Sequence, residues 1–181
     1  MTTPMRNTRE TYGWVARFLH WAVVAGIVLQ YVWAWRIDGA DSVRVEFLLV
    51  NEHKSIGVTV LMLAVARLAW RVTNPVPAHP EPAPDWERRA ARATHWLLYA
   101  AILIQPVTGW AWSAAAGYGP EFFGLVDLPP LVPDSARLEA VFGAFHRSLA
   151  WALPAIVAVH VAAVVRHHLR GRPVLGRMGW S

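Results

Sequence analysis

The sequence predicts an all-α integral membrane protein, built as a bundle of four transmembrane helices. Of its 181 residues, 55% are hydrophobic and only 16% are charged, a balance that is rare in a soluble domain of this length. Four segments approach or reach the length of about 20 apolar residues that spans a hydrocarbon core. The predicted helices are residues 14–36, 47–71, 95–116 and 141–168. They leave no room for a separate soluble domain, so we expect residues 1–181 to form one membrane domain.

The first two helices differ in how strongly the sequence marks them. Helix 14–36 follows a polar stretch, and no small-residue cleavage site lies behind it, so we expect it to be retained rather than removed as a signal peptide. Helix 47–71 is the weakest of the four by hydropathy. Its start carries Glu52, His53 and Lys54, three polar side chains in a row.

Prolines and glycines mark three features of the chain between residues 74 and 138. Alternate prolines between residues 74 and 84 favour an extended, stiff connector, in which His79 should be exposed. Pro106 should kink helix 95–116, either to open space for a cofactor or to bend the helix around its neighbours. The Gly, Pro and aromatic residues of loop 117–138 indicate a lid or a re-entrant structure.

The distribution of charge predicts the orientation in the membrane. If the loops alternate between two sides, the side with both termini holds twelve arginines against four acidic residues, and the other side holds five basic against eight acidic residues. Basic residues favour the cytoplasm, so both termini should be cytoplasmic and the protein should reside in the bacterial inner membrane. The basic tail over residues 166–177 then serves orientation and attraction to anionic lipid, not nucleic-acid binding.

The absence of cysteine limits the possible cofactors. It excludes thiolate haem ligation, iron–sulfur clusters, disulfides and covalent c-type haem attachment. Any haem must therefore be non-covalent and held by histidine or methionine. The chain also lacks a Ser/His/Asp set, a phosphate-binding loop and a dinucleotide fingerprint.

Four of the eight histidines lie within or at the edge of apolar segments, namely His20, His53, His146 and His160. Ionisable side chains at membrane depth are costly and usually functional. His146 and His160 are fourteen residues apart on one predicted helix, which places them within about 40° of the same face and about 21 Å apart along the axis. Alternating topology pairs His20 with His160 at the inner level and His53 with His146 at the outer level.

This arrangement predicts two stacked haems, one near each membrane surface. Two imidazoles per iron leave no open position, and such iron favours electron transfer over oxygen activation. The alternative is that each histidine only hydrogen-bonds a helix neighbour, which is less favoured for four histidines at matching depths.

The other histidines of the apolar part and the tail are weaker candidates. His95 lies level with His20 and could replace His20 or His160 as a ligand, although contact with a propionate, a quinone or lipid headgroups is favoured. His167 and His168 lie in the basic tail and should be solvated at the interface.

Small residues near the predicted ligands allow two interpretations. Gly57 follows His53 by one turn, Gly143 precedes His146 by three residues, and Gly26 lies on the first helix. They could leave room for a haem plane, or they could serve the close helix packing common in membranes.

Basic residues near the predicted ligands would suit haem propionates. Arg17 and Arg166 lie at the inner level, and Lys54 and Arg147 lie at the outer level. Arginine is also a common interfacial anchor, and Glu52 could simply pair with Lys54.

The chain resembles the prokaryotic cytochrome b561 family over nearly its whole length. The elements that carry the resemblance are RFLHW at 17–21, HKSIG at 53–57, RLAWR at 67–71, ATHWLLY at 93–99, the spacing from His146 to His160, and the following pair His167 and His168. The resemblance implies a four-helix bundle with two b-type haems that exchanges electrons with the membrane quinone pool. It places the axial histidines at His20, His53, His146 and His160.

Three functions stay open at this level. The first is oxidation of superoxide at the outer face with reduction of ubiquinone, for which Arg44, Lys54, Arg137 and Arg147 could form a local positive funnel, unless they pair with nearby acids. The second is an electron-transfer subunit for a separate dehydrogenase or periplasmic redox partner. The third is a non-redox transporter or scaffold that binds Zn²⁺ or Cu²⁺ through the same histidines. Transport sites usually add intramembrane carboxylates, and Glu52 is the main candidate here.

Overall fold

The computed structural model describes residues 4–78, 84–171 and 175–178. Within them the elements, in chain order, are α1 (Trp14–Asp38), α2 (Val43–Thr73), α3 (Asp85–Ala115), β1 (Glu121–Phe122), β2 (Val126–Asp127), α4 (Ala136–Leu169) and the short α5 (Leu175–Met178). By length and composition, α1 to α4 can each cross a membrane. The predicted all-α membrane bundle is confirmed.

Three helices begin earlier than the apolar pattern predicts, at Val43, Asp85 and Ala136. In α2 and α4 the preceding serine, Ser42 or Ser135, accepts a hydrogen bond from a main-chain amide of the first turn and caps the helix. The first turn of α3 is acidic, which favours the positive end of the helix dipole. Hydropathy marks only the part of each helix that faces lipid, and these polar first turns lie outside it.

Packing in the bundle is typical of a protein in lipid. α1 packs mainly on α2, α3 packs mainly on α4, and α2 lies against α3. Alanines dominate the buried side chains, whereas large apolar side chains such as Trp151 (84% exposed) face outward. Gly26 allows the close approach of α1 and α2, because a Cβ there would lie 2.6 Å from Cγ2 of Val60. Between α1 and α4, the Tyr31 hydroxyl donates to the carbonyl of Ala150 at 2.6 Å.

Alternating helix directions give the bundle two distinct ends. The hairpin end carries the α1–α2 turn and the loop between α3 and α4. The termini end carries residues 4–13, the start of the α2–α3 connector, and α5. Which compartment each end faces stays a prediction.

The loop of the hairpin end forms a β-hairpin docked on α2. β1 and β2 pair antiparallel, and the turn places Phe123 and Gly124 at φ 52° and 68°. Ser55 is 1% exposed; its hydroxyl donates to the carbonyl of Glu121 at 3.0 Å and accepts from the amide of Phe123 at 2.9 Å. The lid or re-entrant structure predicted for 117–138 is therefore a docked hairpin, and α4 already begins at Ala136.

At the termini end, the N-terminal segment is tied to the connector. The buried side chain of Asn7 donates to the carbonyl of Pro75 at 3.0 Å, and the amide of Ala78 donates to the carbonyl of Arg9 at 2.9 Å. Trp21 donates from its indole nitrogen to the carbonyl of Met178 at 2.8 Å. The connector is non-helical up to residue 78, and His79 lies outside the described residues.

Candidate functional site

His53 on α2 and His146 on α4 face each other near the hairpin end. Their ring centres are 6.4 Å apart and the ring planes are inclined by 80°. Two metal–imidazole bonds of about 2 Å each, plus the distance from each nitrogen to its ring centre, add to about 6 Å. The structure thus brings together the pair predicted for the outer level, at the separation of two axial ligands of one metal ion.

Helix α3 holds the ring of His146 in a defined orientation. Nδ1 of His146 lies 3.0 Å from the carbonyl oxygen of Gln105 and 3.2 Å from the hydroxyl oxygen of Thr108. The Gln105 side-chain amide donates to the main-chain carbonyl of His146 at 3.1 Å. Because Nδ1 faces a carbonyl, it carries the proton, and Nε2 keeps the lone pair that a metal requires. The Gln105 amide nitrogen also lies 3.3 Å from Nε2, consistent with an unprotonated Nε2.

The third contact of α3 with this ring is Gly109, which the sequence analysis missed. A Cβ at this position would lie 2.8 Å from Cε1 and 3.1 Å from Nδ1 of His146. The missing side chain is therefore what lets the imidazole pack against α3. The only sign of this contact in the sequence is the irregularity at the nearby Pro106.

His53 is held less completely than its partner. Its main-chain carbonyl accepts a hydrogen bond from the side-chain amide of Gln30 at 3.1 Å. Among the described residues, buried Nδ1 of His53 and buried Oε1 of Gln30 have no hydrogen-bond partner. Buried polar atoms are nearly always satisfied, so these two orphaned atoms mark a place that accepts a further group.

The predicted glycines lie against other side chains. A Cβ on Gly57 would lie 2.8 Å from the amide nitrogen of Gln30, and a Cβ on Gly143 would lie 2.9 Å from the indole of Trp112. Gly57 therefore makes room for a side chain beside His53, and Gly143 makes room for the indole that borders His146 at a ring-centre distance of 5.8 Å.

The termini end gathers three imidazoles. His160 on α4 and His95 on α3 have ring centres 5.3 Å apart, and His20 on α1 lies within electrostatic range of both. Nδ1 of His95 donates to the carbonyl of Ala91 at 2.7 Å. The separation of His95 and His160 is shorter than that of a metal-bridged pair, so the predicted pair His20 and His160 is retained as the proposed ligand set.

The basic residues predicted for the hairpin end are unevenly placed. Half-buried Lys54 donates to the hydroxyl of Ser113 at 3.3 Å, and Arg147 stacks over Trp112 at 5.0 Å. Arg44 and Arg137 are exposed in the first turns of α2 and α4. Glu52, for which pairing with Lys54 was one alternative, accepts a hydrogen bond from the indole of Trp33 at 2.7 Å.

The inner basic residues differ in their partners. Arg166 binds the carboxylate of Glu87, which is 7% exposed, at 3.2 Å, and so already has a counter-charge. Arg17 is half-buried near the start of α1. His167 and His168 lie in the last turns of α4, half-buried and exposed respectively.

The donor set fits haem better than a bare metal ion. In the described ranges, no group of three or more His, Asp or Glu side chains is arranged to hold a metal ion. A haem brings four nitrogen ligands of its own and requires only two axial ligands. A facing imidazole pair with a fixed tautomer on one ring meets that requirement at the hairpin end.

Comparison with known proteins agrees with this chemistry. The family described as prokaryotic cytochrome b561 matches residues 11–181. Cytochrome b561 homolog 2 of Escherichia coli is 32% identical over 168 residues, covering 90% of this chain and 87% of the relative. Cytochrome b561 homolog 1 of the same organism is 27% identical and covers 83% and 86%. The probable superoxide oxidase CybB of Yersinia pestis is 25% identical and covers 83% and 84%. The chain belongs to the prokaryotic cytochrome b561 family and is a membrane cytochrome with b-type haem as its cofactor.

Proposed function

We propose that the protein binds two b-type haems and passes electrons between the hairpin end of the bundle and the membrane quinone pool. His53 and His146 would hold one haem, and His20 and His160 would hold the other. Bound haem supplies a one-electron carrier with no open coordination position. The observation that carries the proposal is the facing pair His53 and His146, with ring centres 6.4 Å apart.

The residues of the chain support electron transfer at both levels. The main-chain carbonyl of Gln105 faces Nδ1 of His146 and so places the proton there, which would leave Nε2 to bind the iron of a haem. Fourteen residues of α4 separate the two levels by about 21 Å. The proposed orientation places the hairpin end outside the cytoplasm and the arginine-rich termini end inside, following the charge bias of the loops.

A more specific proposal is that superoxide is the electron donor and ubiquinone is the electron acceptor. A relative of this chain carries the name probable superoxide oxidase, at 25% identity. Two superoxide anions would each give up one electron to form dioxygen, and one ubiquinone would take both electrons and two protons. Lys54 is the strongest candidate to attract the anion, because it is half-buried beside His53, whereas Arg44 and Arg137 are exposed.

The decisive experiment is a reduced-minus-oxidised spectrum with a haem count on purified protein. We expect two haems per chain in the wild type and one in His53→Ala and in His146→Ala, with His168→Ala as a matched control that keeps both. A colourless protein would refute the di-haem proposal, and two haems in either ligand variant would refute the assignment of His53 and His146 as ligands.

The substrate proposal has its own test. Purified protein should consume superoxide faster than spontaneous dismutation and reduce a ubiquinone analogue in the same reaction. A protein with both haems and no such rate would point to the alternative, an electron-transfer subunit for a separate redox partner.

A further inference from the structure

Two arginines of α2 lie at the termini end without a carboxylate partner among the described residues. In the part of the chain that the structure describes, no Asp or Glu oxygen lies within 4.0 Å of Arg67 or Arg71. Arg67 donates to the main-chain carbonyl of Ala16 at 3.2 Å, and the two guanidinium carbons lie 5.8 and 5.6 Å from the ring centre of Tyr99. An aromatic ring offsets only part of a charge at membrane depth. A bound anion would therefore stabilise the pair.

The position of Arg67 relates this anion to the histidines. Ala16, which Arg67 contacts, lies one turn nearer the termini end than His20. Arg67 is within electrostatic range of both His20 and His160. It also follows His53 by fourteen residues, the interval that separates the two histidines of α4, so it returns to the same face of α2. α2 thus presents an imidazole at one level and a guanidinium at the other.

The surroundings of the two arginines supply further hydrogen-bond donors. Arg67, Arg71 and Trp70 line a cavity beneath the N-terminal segment, together with the polar side chains of Asn7 and Tyr12. The indole nitrogen of Trp70 is buried and has no acceptor among the described residues. Guanidinium groups bind carboxylates or phosphates through paired hydrogen bonds. The donor set therefore fits an oxyanion.

We propose that Arg67 and Arg71 bind the carboxylates of the haem held by His20 and His160, an inference that rests on the proposed function. Of the inner arginines predicted for this role, Arg166 already binds Glu87. A phosphate of a lipid headgroup offers the same oxyanion chemistry, so the experiment must separate the two sources.

The test is a thermodynamic cycle in which the arginine of the protein and the carboxylates of the haem are changed separately and together. Protein with Arg67→Gln, Arg67→Lys or Arg71→Gln is prepared with haem and with haem whose two carboxylates are methyl esters. Arg92→Gln is the control, because it removes an exposed arginine from the same end. With ordinary haem, Arg67→Gln should release one haem about 10- to 100-fold faster. It should also lower the midpoint potential of that haem, since a nearby positive charge favours the reduced form.

The two haem preparations should respond differently to the substitution of Arg67. With the esterified haem, wild type and Arg67→Gln should agree in release rate, because the carboxylates that Arg67 would bind are already blocked. Arg67→Lys should keep most of the wild-type potential, and Arg92→Gln should keep all of it. Arg71→Gln should shift the potential in the same direction by a smaller amount.

Three results would overturn the proposal. Equal release rates and potentials in wild type and Arg67→Gln with ordinary haem would show that the guanidinium does not contact the haem. If Arg67→Gln speeds haem release as much with esterified haem as with ordinary haem, the oxyanion is a lipid phosphate instead. If Arg67→Gln does not fold, an Arg71→Gln variant with wild-type potentials would also refute it. A wild-type protein without two haems would refute the proposed function instead.

Discussion

Substitution of Gly109 by alanine should disturb the hairpin-end site without touching a ligand. The added Cβ would lie 2.8 Å from Cε1 of His146, whereas carbon atoms in ordinary contact are about 3.5–4.0 Å apart. The ring would have to retreat by about 1 Å, which stretches its 3.0 Å hydrogen bond to Gln105 beyond the usual limit. The imidazole would then lose its position and the hydrogen bond that holds its proton on Nδ1.

The expected magnitude combines two contributions. Overpacking in a tight contact costs about 1–3 kcal/mol. Loss of a hydrogen bond costs about 0.5–1.5 kcal/mol. A total of about 2–4 kcal/mol corresponds to haem binding that is weaker by about 30-fold or more. We expect Gly109→Ala to lose the hairpin-end haem first and to keep the other.

The assay is the haem count and the rate of haem transfer to an excess of apomyoglobin, followed in the visible spectrum. Gly39→Ala is the matched control, because a Cβ there meets only the carbonyl of Trp35 at an ordinary 3.6 Å. If Gly109→Ala keeps two haems with wild-type transfer rates and midpoint potentials, the inferred role of α3 in holding His146 is wrong.

Three further variants test separate parts of the structure. Ser55→Ala removes both hydrogen bonds that fasten the hairpin loop, so proteases should cut this loop several-fold faster while the helices stay intact. Glu87→Gln leaves Arg166 without its buried counter-charge and should lower the thermal unfolding midpoint, measured by circular dichroism in detergent. His95→Ala should keep two haems per chain, whereas His20→Ala should keep one, as counted from the reduced spectrum.

Each of these variants has an outcome that would contradict the prediction. Ser148→Ala removes only a bond within its own helix turn, so equal cleavage of both serine variants would mean that Ser55 does not anchor the loop. An unfolding midpoint of Glu87→Gln equal to that of the wild type would mean that the ion pair adds no stability. Loss of a haem in His95→Ala with retention in His20→Ala would exchange their roles.

The helices were predictable because the apolar runs carry the membrane signal directly. The predicted ends at residues 36, 71, 116 and 168 lie within two residues of the observed ends. The starts of α2, α3 and α4 were predicted too late, because the first turns of these helices carry charged residues. The β-hairpin was not predicted as such, since its stability depends on Ser55, a residue of another element.

The site was predictable only in part, for a similar reason. Helical periodicity brings His146 and His160 to one face, and topology brings His53 to the level of His146. The contacts that orient His146 come from Gln105 and Gly109 on another helix, about forty positions away in sequence, and no local pattern reveals such a neighbour. The same limit explains why the contact of Gly57 with Gln30 was not predicted.

The two histidines on α4 have a mechanical consequence. Because one continuous helix supplies an imidazole to each level, sliding or rotation of the whole of α4 would displace both imidazoles together, unless the helix bends at Pro154 between them. Apart from such a bend, independent adjustment of the two levels comes from the opposing helices, which contribute different side chains at each depth. A designer who wants to shift one redox centre alone should leave the backbone of α4 untouched and vary α1, α2 or α3.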